Sequence, residues 1–499
     1  MATKKNKNVR MSGTFTIREG QSMIGDLDLG RRKMKLHLHA RHEIEHDVEP
    51  VTINGILGDL RRVTCIRSIS ASSRSGGGNE ERFYSATVLP NFVSIGAHHL
   101  DPDSACLATV RFTTQDIATL FHDYEAFGHA FLSEQTIDTI KADEKLRRGA
   151  QLAERPDFFY FNGRHEVVRV DTIFGCFRVY HQPTFRMGGT GTLVQNRMYA
   201  ELAFEAPVDF DTCISRLMSI YRFLSVAAGR RQSIKSIQLT LADKGRELRD
   251  GIVIPAVLDL YWEHAPKNPK RQTYAPHPGD VPLTPVRQPD EFSKVLRSWL
   301  EREVTWKTAR IRLVDCIGKG RSYSIDRLVA VANMFDILPP EDGASSSALS
   351  PDLEEARKKC KEIFRKLPDG LERQSVLGAL GRMNRPSLTK KVLHHANKVA
   401  THLGYPPAEL AHVATLAVKL RNYFVHGSLD GINYPSVEPF VPFLTDTLEF
   451  IFAASDFIDS GWDARAWAAH PHSANHLFAS FRWGYCERVD ALTTALTVA

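Results

Sequence analysis

Residues 420–428 read LRNYFVHGS and place a guanidinium, an amide and an imidazole within six positions, at Arg421, Asn422 and His426. An imidazole exchanges protons near neutral pH, and a guanidinium is a permanent cation that binds phosphate oxygens. Phosphodiester transesterification needs both groups, the first to move the proton of a 2′-hydroxyl and the second to stabilise charge on the phosphorane. Since the 2′-hydroxyl is an internal nucleophile, this chemistry requires no metal ion or other cofactor and is restricted to RNA.

The same stretch ends a predicted helix over residues 407–426. Pro407 suits a first helical turn, and Gly427 suits the position just past a helix end. Apolar residues recur at spacings of three and four, which predicts one seam suited to packing on a neighbouring helix or on a second copy of the same helix. The seam comprises Leu410, Val413, Ala417, Leu420 and Phe424.

Arg421 and His426 fall on opposite shoulders of this seam. Five residues at about 100° each place them roughly 140° apart, so we expect the two side chains not to meet within one chain. Antiparallel packing of two copies would bring the arginine of one to the histidine of the other, which predicts a homodimer or a higher even oligomer. The alternative is structural: the helix dipole alone favours His426 here, and Arg421 would then solvate the helix edge.

The composition is that of a globular protein of two or three domains, with 499 residues, 43% of them hydrophobic and 24% charged. No run approaches the ~20 apolar residues that cross a bilayer, and the basic N-terminus MATKKNKNVRMSGTF has no apolar signal-peptide core. The seven cysteines are scattered without a CxxC pair, as in a reducing compartment. We expect a cytoplasmic protein without membrane contact, whose formal net charge of +6 permits a polyanionic partner.

The hydrophobic pattern predicts an α+β chain, with a β-rich N-terminal domain that carries a few helices and an all-α C-terminal bundle. Residues 13–263 alternate as strands do, for example in KMKLHLHA, where Leu36 and Leu38 share one face. Helices are predicted in TQDIATLFHDYEAF, opened by Thr114, and in DFDTCISRLMSIYRFLSVAAG, closed by Gly229.

The second half of the chain has a different pattern. Residues 264–289 contain seven prolines, which exclude regular elements and predict either a linker or a strap over the surface. Residues 290–499 show helical periodicity with short connections, which predicts a helical bundle.

RNYFVH resembles the Arg–polar–x–x–x–His motif of the HEPN superfamily of ribonucleases, where it also ends a long helix in an α-helical bundle. The stretches GDLDLGRRKMKLHLHA, INGILGDLRRVTCIRSIS, VRFTTQDIATLFHDYEAFG and YRFLSVAAG resemble the β-rich N-terminal domain of ApeA-type antiphage proteins, which precedes a HEPN domain. The two resemblances imply an abortive-infection endoribonuclease, with an N-terminal domain that senses or regulates and a phage-derived activator. Arg421 and His426 would be catalytic and Asn422 would fill the polar position, with RNA, for which tRNA is a candidate, as the substrate. Some HEPN proteins also use an acidic residue of an early helix, for which Asp336 is a candidate.

Cationic residues elsewhere could contact RNA phosphates. GKGRSYS at 318–324 offers Lys319 and Arg321 beside two glycines, and Lys419 lies two positions before the arginine of the motif. His394 and His395, in a helix that also carries lysines, would either extend this RNA-binding surface or form an ordinary solvated helix face.

The histidine-rich and glycine-rich stretches give weaker evidence of a functional site than the Arg421–His426 motif does. His37, His39, His42 and His46 lack a zinc-type spacing, which favours a solvated strand face over a metal site. GAHHLDPD at 96–103 is turn-like, and GGTGT at 188–192 lacks the Lys-Ser/Thr ending of a phosphate-binding loop, so a hairpin turn is predicted there. No metal site is therefore expected.

The second functional hypothesis belongs to another class. It is a catalytically inactive HEPN-type module that binds RNA or a partner protein. An active enzyme would leave 2′,3′-cyclic phosphate ends in the presence of EDTA, whereas a binding module would shift RNA in a gel and leave it uncut.

Overall fold

The structure is a computed structural model of the 499-residue chain. It describes all residues except 1–8, 18–21, 31–32, 42–50, 78–82, 144–152, 155, 190, 249–250, 269–274, 340–348, 428–432 and 499.

The chain divides into two compact units. The first, the β-rich unit, comprises Met1–Met218, Gln232–Lys267 and Thr284–Pro289. The second, the helical unit, comprises Ser219–Arg231, Asn268–Leu283 and Asp290–Ala499. A β-rich N-terminal part followed by an all-α part is the fold class predicted from the sequence, and it is confirmed.

Strands make up most of the β-rich unit. They are β1 Val9–Thr16, β2 Ser22–Leu29, β3 Met34–Ala40, β4 Val51–Leu57, β5 Arg62–Gly76, β6 Phe83–Gly96, β7 Leu107–Thr114, β8 Phe127–Ala130, β9 Phe158–Phe161, β10 Glu166–Thr172, β11 Gly175–Gly188, β12 Gly191–Val208, β13 Ile234–Glu247 and β14 Val253–Trp262. Strands β8 and β9 form a separate pair, and the other strands form one antiparallel sheet in the order β10-β11-β12-β7-β13-β14-β6-β3-β2-β1-β4-β5.

One part of this sheet closes on itself. Strand β6 pairs with β3 and also with β5, so β6, β3, β2, β1, β4 and β5 form a ring. Alternating side chains fill its interior, where Phe15, Leu36, Leu38, Val63 and Cys65 are fully buried. The predicted shared face of Leu36 and Leu38 is thus the core face of the ring.

The β11–β12 hairpin extends past its neighbours in the sheet. The two strands pair from Cys176↔Ala203 to Gly188↔Gly191. Strand β10 pairs with β11 only as far as Tyr180, and β7 pairs with β12 only from Ala200 onward. Within the described residues, 182–188 and 191–197 therefore pair only with each other, and we call this two-stranded segment the arm. The hairpin turn predicted at 188–192 is confirmed.

In the described part of the first 230 residues, the helices are α1 Ile117–Leu120, α2 Glu134–Ala142 and α3 Phe210–Ala227. The predicted closure of α3 by Gly229 is confirmed, since this residue takes a φ of +64°. The helix predicted from Thr114 is wrong in extent, because only α1 forms. Phe127 instead lies on the β8 strand, with its ring 5.1 Å from that of Phe161 on β9, so pairing between strands overrides the local helical pattern.

The helical unit contains most of the remaining elements. They are α4 Pro289–Glu301, α5 Glu303–Ile317, α6 Ile325–Asp336, α7 Pro351–Arg365, α8 Leu371–Arg382, α9 Leu388–Leu403, α10 Pro407–His426, α11 Tyr434–Val437, a 3-10 turn Glu438–Phe440, α12 Val441–Asp459, α13 Ala464–Ala469, α14 Leu477–Trp483 and α15 Tyr485–Val498. In the part of the chain that the structure describes, none of the helices combines the length and hydropathy that crossing a bilayer requires.

Buried charges join the helices of this unit. Arg310 donates from Nε and Nη2 to the carboxylate of Asp456 at 2.8 Å each, and from Nη1 to Glu303 at 2.9 Å. Glu303 also accepts from Arg222 of α3 at 2.8 Å. All four side chains are almost completely buried, so each charge depends on its partners for compensation.

Part of the proline-rich segment packs on the helical unit. The indole Nε1 of Trp462 donates to Pro282 O at 2.7 Å, and Ser473 N donates to the buried carboxylate of Asp280 at 2.7 Å. The described residues 275–283 of this segment are thus held against the helices.

Candidate active site

Helix α10 positions the two residues that the motif singles out. Its bounds, Pro407–His426, are those predicted, and Gly427 ends it with a φ of +72° and an N–H that donates to Tyr423 O at 2.9 Å. The apolar seam packs on α9, α12 and α6 of the same chain. Of the seam residues Leu410, Val413, Ala417 and Leu420 are fully buried, whereas Phe424 at the helix end is 37% exposed.

Arg421 is held by three acceptors at the surface end of this helix. Its Nη2 donates to Asn333 Oδ1 at 2.7 Å, and its Nε donates to the same oxygen at 3.2 Å. Its Nη1 donates to Asn422 Oδ1 at 3.0 Å and lies 3.3 Å from His426 Nε2. Arg421, Asn422 and His426, predicted as one site, are therefore brought together, and the guanidinium has a fixed orientation.

The expectation that Arg421 and His426 would not meet within one chain is wrong. The 140° separation describes where the Cα–Cβ bonds point, whereas the guanidinium stands several bonds away from its Cα. His426 is in the last turn before Gly427, so no further turn of helix blocks the ring from reaching back towards Nη1. An even oligomer is consequently not needed to bring one arginine to one histidine.

The Arg421–His426 contact has a defined direction. An arginine has only donors, so in a hydrogen bond across this contact Nε2 of His426 is the acceptor.

The site is open to a polymer. His426 is exposed, and Arg421 and Asn422 are half-buried. Leu420, which precedes Arg421, and Met334, which follows Asn333, are fully buried. A half-buried guanidinium is less screened by water than a free surface charge.

Aromatic rings surround the exposed end of α10. The rings of Tyr423 and Tyr434 are stacked at 5.8 Å, and Phe424 meets each of them edge-on at 5.0 and 5.3 Å. Tyr434 also donates through its hydroxyl to Glu438 at 3.1 Å. These contacts tie the start of α11 to the end of α10 across residues 428–432, which lie outside the described part.

Asn333 was not predicted from the sequence. It lies on α6, one helical turn before Asp336, which the resemblance offered as a candidate for the acidic residue of an early helix. Asp336 instead accepts from Lys391 Nζ, 3.4 Å from its Oδ1 and 3.0 Å from its carbonyl oxygen. The available signal was an asparagine within the apolar run LVAVANMF, because a polar side chain with low helix propensity needs a compensating contact there.

Helix α6 is anchored so that Asn333 cannot move freely. Arg327, two turns earlier, forms a fully buried bidentate ion pair with Glu449 of α12, with Nε–Oε1 at 2.7 Å and Nη2–Oε2 at 2.9 Å. Burial raises the pKa of Glu449, while the Arg327 guanidinium opposes that rise. Burial likewise raises the pKa of Asp446, to which the hydroxyl of Tyr323 donates at 2.8 Å.

The three lysine and arginine residues predicted to bind RNA lie outside the Arg421 contacts. Lys319 and Arg321 are exposed in the turn after α5, and this turn is fixed by Arg327, whose Nη1 donates to Gly320 O at 2.7 Å and to Ser322 O at 3.0 Å. Lys419 is exposed on α10. The predicted solvated or RNA-binding role of His395 is wrong, because its ring is completely buried against Phe335; only His394 of that pair is exposed.

The histidine clusters hold no metal-type arrangement where they can be described. His37 Nδ1 lies 3.1 Å from the hydroxyl of Thr87, and His99 Nδ1 lies 3.2 Å from Val63 O. His42 and His46 fall outside the described residues. Within those residues, no group of three or more His, Cys, Asp or Glu side chains is placed to hold a metal ion.

The helical unit contains a long helix that ends in an Arg–polar–x–x–x–His motif. Comparison with known protein families identifies the class of protein to which this arrangement belongs. Residues 329–466 match the family described as Apea-like HEPN, a range that contains Asn333, Arg421 and His426. Residues 3–299 match the family described as ApeA N-terminal domain 1. The chain therefore belongs to the ApeA family, a HEPN-containing family of antiphage defence, as the sequence resemblance indicated. No curated protein and no solved structure matches it significantly.

Proposed function

We propose that the chain is a metal-independent endoribonuclease of antiphage abortive-infection defence that cuts RNA at Arg421, Asn422 and His426. The proposal depends chiefly on one observation, the 3.3 Å approach of Arg421 Nη1 to His426 Nε2 at an exposed helix end. A proton acceptor and a fixed cation are thereby presented together to a single phosphodiester. The family match supports it, because HEPN domains are generally those of ribonucleases.

The chemistry follows from the two groups. A bound phosphate draws Nη1 of Arg421 away from His426 and leaves Nε2 free to take the proton of the 2′-hydroxyl. The 2′-oxygen attacks phosphorus, the bond to the 5′-oxygen breaks, and the guanidinium stabilises the charge of the phosphorane. The products are a 2′,3′-cyclic phosphate and a 5′-hydroxyl. Asn333 and Asn422 keep the guanidinium oriented during these steps.

A second proton carrier is needed for the leaving 5′-oxygen. Among the described residues, Arg421 has hydrogen-bond contacts with the side chains of Asn333, Asn422 and His426, and only the last carries an imidazole. A second copy of the chain would supply the second imidazole. We therefore propose that the active form is a homodimer or a higher even oligomer, in which two exposed helix ends meet.

The remaining parts of the proposal concern substrate and control. Lys319, Arg321 and Lys419 contact the phosphates of the RNA outside the scissile linkage, and tRNA is the candidate substrate because its loss stops growth. The nuclease acts in the cytoplasm and stays restrained until a phage-derived component relieves it through the N-terminal domain.

RNA ends formed in cells test this function directly. Cells that express the chain, with and without phage infection, are analysed by sequencing RNAs with 2′,3′-cyclic phosphate ends. The parent should generate new ends on infection, and His426→Ala should abolish them. His412→Ala is the matched control, because it removes another exposed histidine from the same helix and should leave cleavage intact.

Two outcomes would contradict the proposal. Equal cleavage by the parent and by His426→Ala would show that this histidine is not catalytic. Purified parent protein that shifts RNA in a gel, with no cyclic-phosphate ends in infected cells, would instead establish the inactive binding module.

A further inference from the structure

The arm, residues 182–188 and 191–197, exposes apolar side chains on both of its strands. Phe185 is 62% exposed and Met187 is 89% exposed, and Leu193 and Val194 on the opposite strand are 47% and 40% exposed. A two-stranded hairpin without a third strand is only marginally stable in water. Apolar groups maintained on such a segment indicate a surface that is covered by a partner.

The two faces of the arm differ in chemistry. In the register Phe185↔Val194 and Met187↔Thr192, Phe185, Met187 and Val194 share one face, whereas Leu193 lies on the other. That face continues at the base of the arm into His181 and Met198, which are both buried. The exposed apolar face of the arm is thus continuous with a buried apolar surface at its base.

The other face is cationic. Arg186 stands opposite Leu193 and Arg197 stands opposite Gln182, which places both guanidiniums on this face. Both arginines are exposed, and within the described residues neither side chain has an ion-pair or hydrogen-bond partner. The sequence between Asp171 and Glu201 contains no acidic residue. The charge of the arm is therefore positive over its whole length.

The length of the arm suits a polymeric ligand better than a small molecule. Seven cross-strand pairs at about 3.3 Å per residue give a ribbon roughly 20 Å long, and the two arginines are about 13 Å apart along it. They would therefore meet different phosphates of one nucleic acid strand. Phe185 lies on the face opposite the arginines. An unpaired base of a strand that crosses the edge of the ribbon can stack on it, which is a sequence-tolerant contact.

We propose that the arm is an RNA-binding ribbon, in which Arg186 and Arg197 contact phosphates and Phe185 stacks on a base. Charge complementarity favours a nucleic acid over a polypeptide, since a cationic surface without acidic residues attracts any polyanion but stacking selects bases. The choice of RNA over DNA rests on the proposed function. Binding and cleavage are measured separately, so either can fail alone.

Fluorescence anisotropy tests the proposal with the full chain carrying His426→Ala, which keeps the probe uncut. The probes are a single-stranded RNA, its duplex and a DNA of the same sequence. Arg186→Ala with Arg197→Ala should weaken RNA binding about tenfold or more and lower the slope of log K against log salt by about 1.4, since each lost phosphate contact on a single strand contributes ~0.7. Phe185→Ala should weaken binding to single-stranded RNA severalfold, and Phe185→Tyr should restore it.

The matched control removes the same charge from another hairpin. Lys244 and Arg246 are exposed on β13, between Asp243 and Glu247, so the double alanine variant should bind like the parent. Arg186→Lys with Arg197→Lys keeps the charge and should restore most of the affinity and the salt slope, which excludes a folding defect.

Four results would overturn the proposal. RNA affinity and salt slope unchanged by the double alanine variant would exclude the arm as a contact. Equal or tighter binding of DNA would reject RNA as the partner, with the nuclease proposal untouched. Binding of poly-glutamate without binding of nucleic acid would assign the arm to an acidic protein. A lower mass of Phe185→Ala in sedimentation, with RNA affinity unchanged, would assign the tip to a second copy.

Discussion

Asn333 Oδ1 accepts two hydrogen bonds from Arg421, one from Nη2 at 2.7 Å and one from Nε at 3.2 Å. The two residues are 88 positions apart and lie on α6 and α10. The orientation of the guanidinium is therefore set from a second helix, and the amide that sets it is itself uncharged. An uncharged acceptor leaves the full charge of Arg421 available to a phosphate.

Asn333→Ala should lower kcat for RNA cleavage about 10- to 100-fold with little change in KM, because the guanidinium loses its orientation and not its charge. Asn333→Asp keeps an acceptor at this position and should recover part of the rate. Single-turnover rates at saturating RNA provide the measurement. Asp336→Ala on the same helix is the control, since Asp336 contacts Lys391 instead. A rate for Asn333→Ala no lower than that control would contradict the positioning role.

Arg421→Lys should reduce cleavage about 100-fold or more although the charge is kept. A lysine ammonium lacks the planar fork that contacts Asn333, Asn422 and His426 together. Cleavage assays of Arg421→Lys beside Lys419→Ala provide the measurement. The second variant should alter RNA affinity and its salt dependence while kcat stays near that of the parent. Near-normal kcat in Arg421→Lys would mean that only charge is needed.

Two buried histidines predict a loss of stability in mild acid. Burial lowers the pKa of His395 to about 3 and that of His476 to about 4. The unfolded chain therefore binds more protons than the folded chain below about pH 6.5, and stability falls with pH from there towards pH 4. At pH 5 each ring accounts for about 2 kcal/mol of that loss.

His395→Phe should remove the part of this loss of stability at low pH that His395 causes. Neither ring nitrogen of His395 has a hydrogen-bond partner among the described residues, so a phenyl ring loses no hydrogen bond at pH 7. Urea unfolding at pH 7 and pH 5 measures the effect, with exposed His412→Ala as the control. The difference in unfolding free energy between the two pH values should shrink by about 2 kcal/mol in His395→Phe alone. An unchanged difference would show that the buried ring does not titrate as described.

Glu449→Leu should destabilise the chain by about 3–5 kcal/mol, because Arg327 would be left buried without a counter-charge. The double variant Arg327→Met with Glu449→Leu should recover much of this loss, since no isolated charge remains. Denaturant unfolding of the parent, the two single variants and the double variant forms the cycle that measures it. If the losses of unfolding free energy in the two single variants add up to that of the double variant, the two side chains do not interact. Glu355→Leu, at the exposed ion pair with Lys359 on α7, should cost under about 1 kcal/mol.

The sequence predicted the helix of the site almost to the residue. Pro407 and Gly427 have strong local reasons for their positions, a fixed φ at one end and a left-handed φ at the other, so the boundaries of α10 needed no tertiary information. The same holds for Gly229 and for the glycine-rich turn of the arm. The helix expected from Thr114 failed at its far end because Phe127 pairs across β8 and β9, a contact that the local pattern does not contain.

The contacts of the site were less predictable than its helix. Helical angles gave the directions of the Cα–Cβ bonds of Arg421 and His426 correctly but not the position of a long, flexible guanidinium. Asn333 is separated from Arg421 by 88 residues, and only the packing of α6 on α10 brings them together. His395 follows His394 directly, and since neighbours on a helix point about 100° apart, one faces solvent and the other the core.

The path of α3 has a consequence for any attempt to divide the molecule. Residues 219–231 precede β13 and β14 in the chain, yet they group with the helical unit, where the ring of Phe223 lies 5.5 Å from Trp299 and Arg222 neutralises Glu303. A fragment that starts after the proline-rich segment would lack Phe223 and Arg222, so it would expose the apolar surface around Trp299 and leave Glu303 with Arg310 as its remaining arginine partner among the contacts described above. The helical unit is therefore completed by residues that come before the last two strands of the β-rich unit, and a single cut between residues 231 and 290 cannot separate the two units intact.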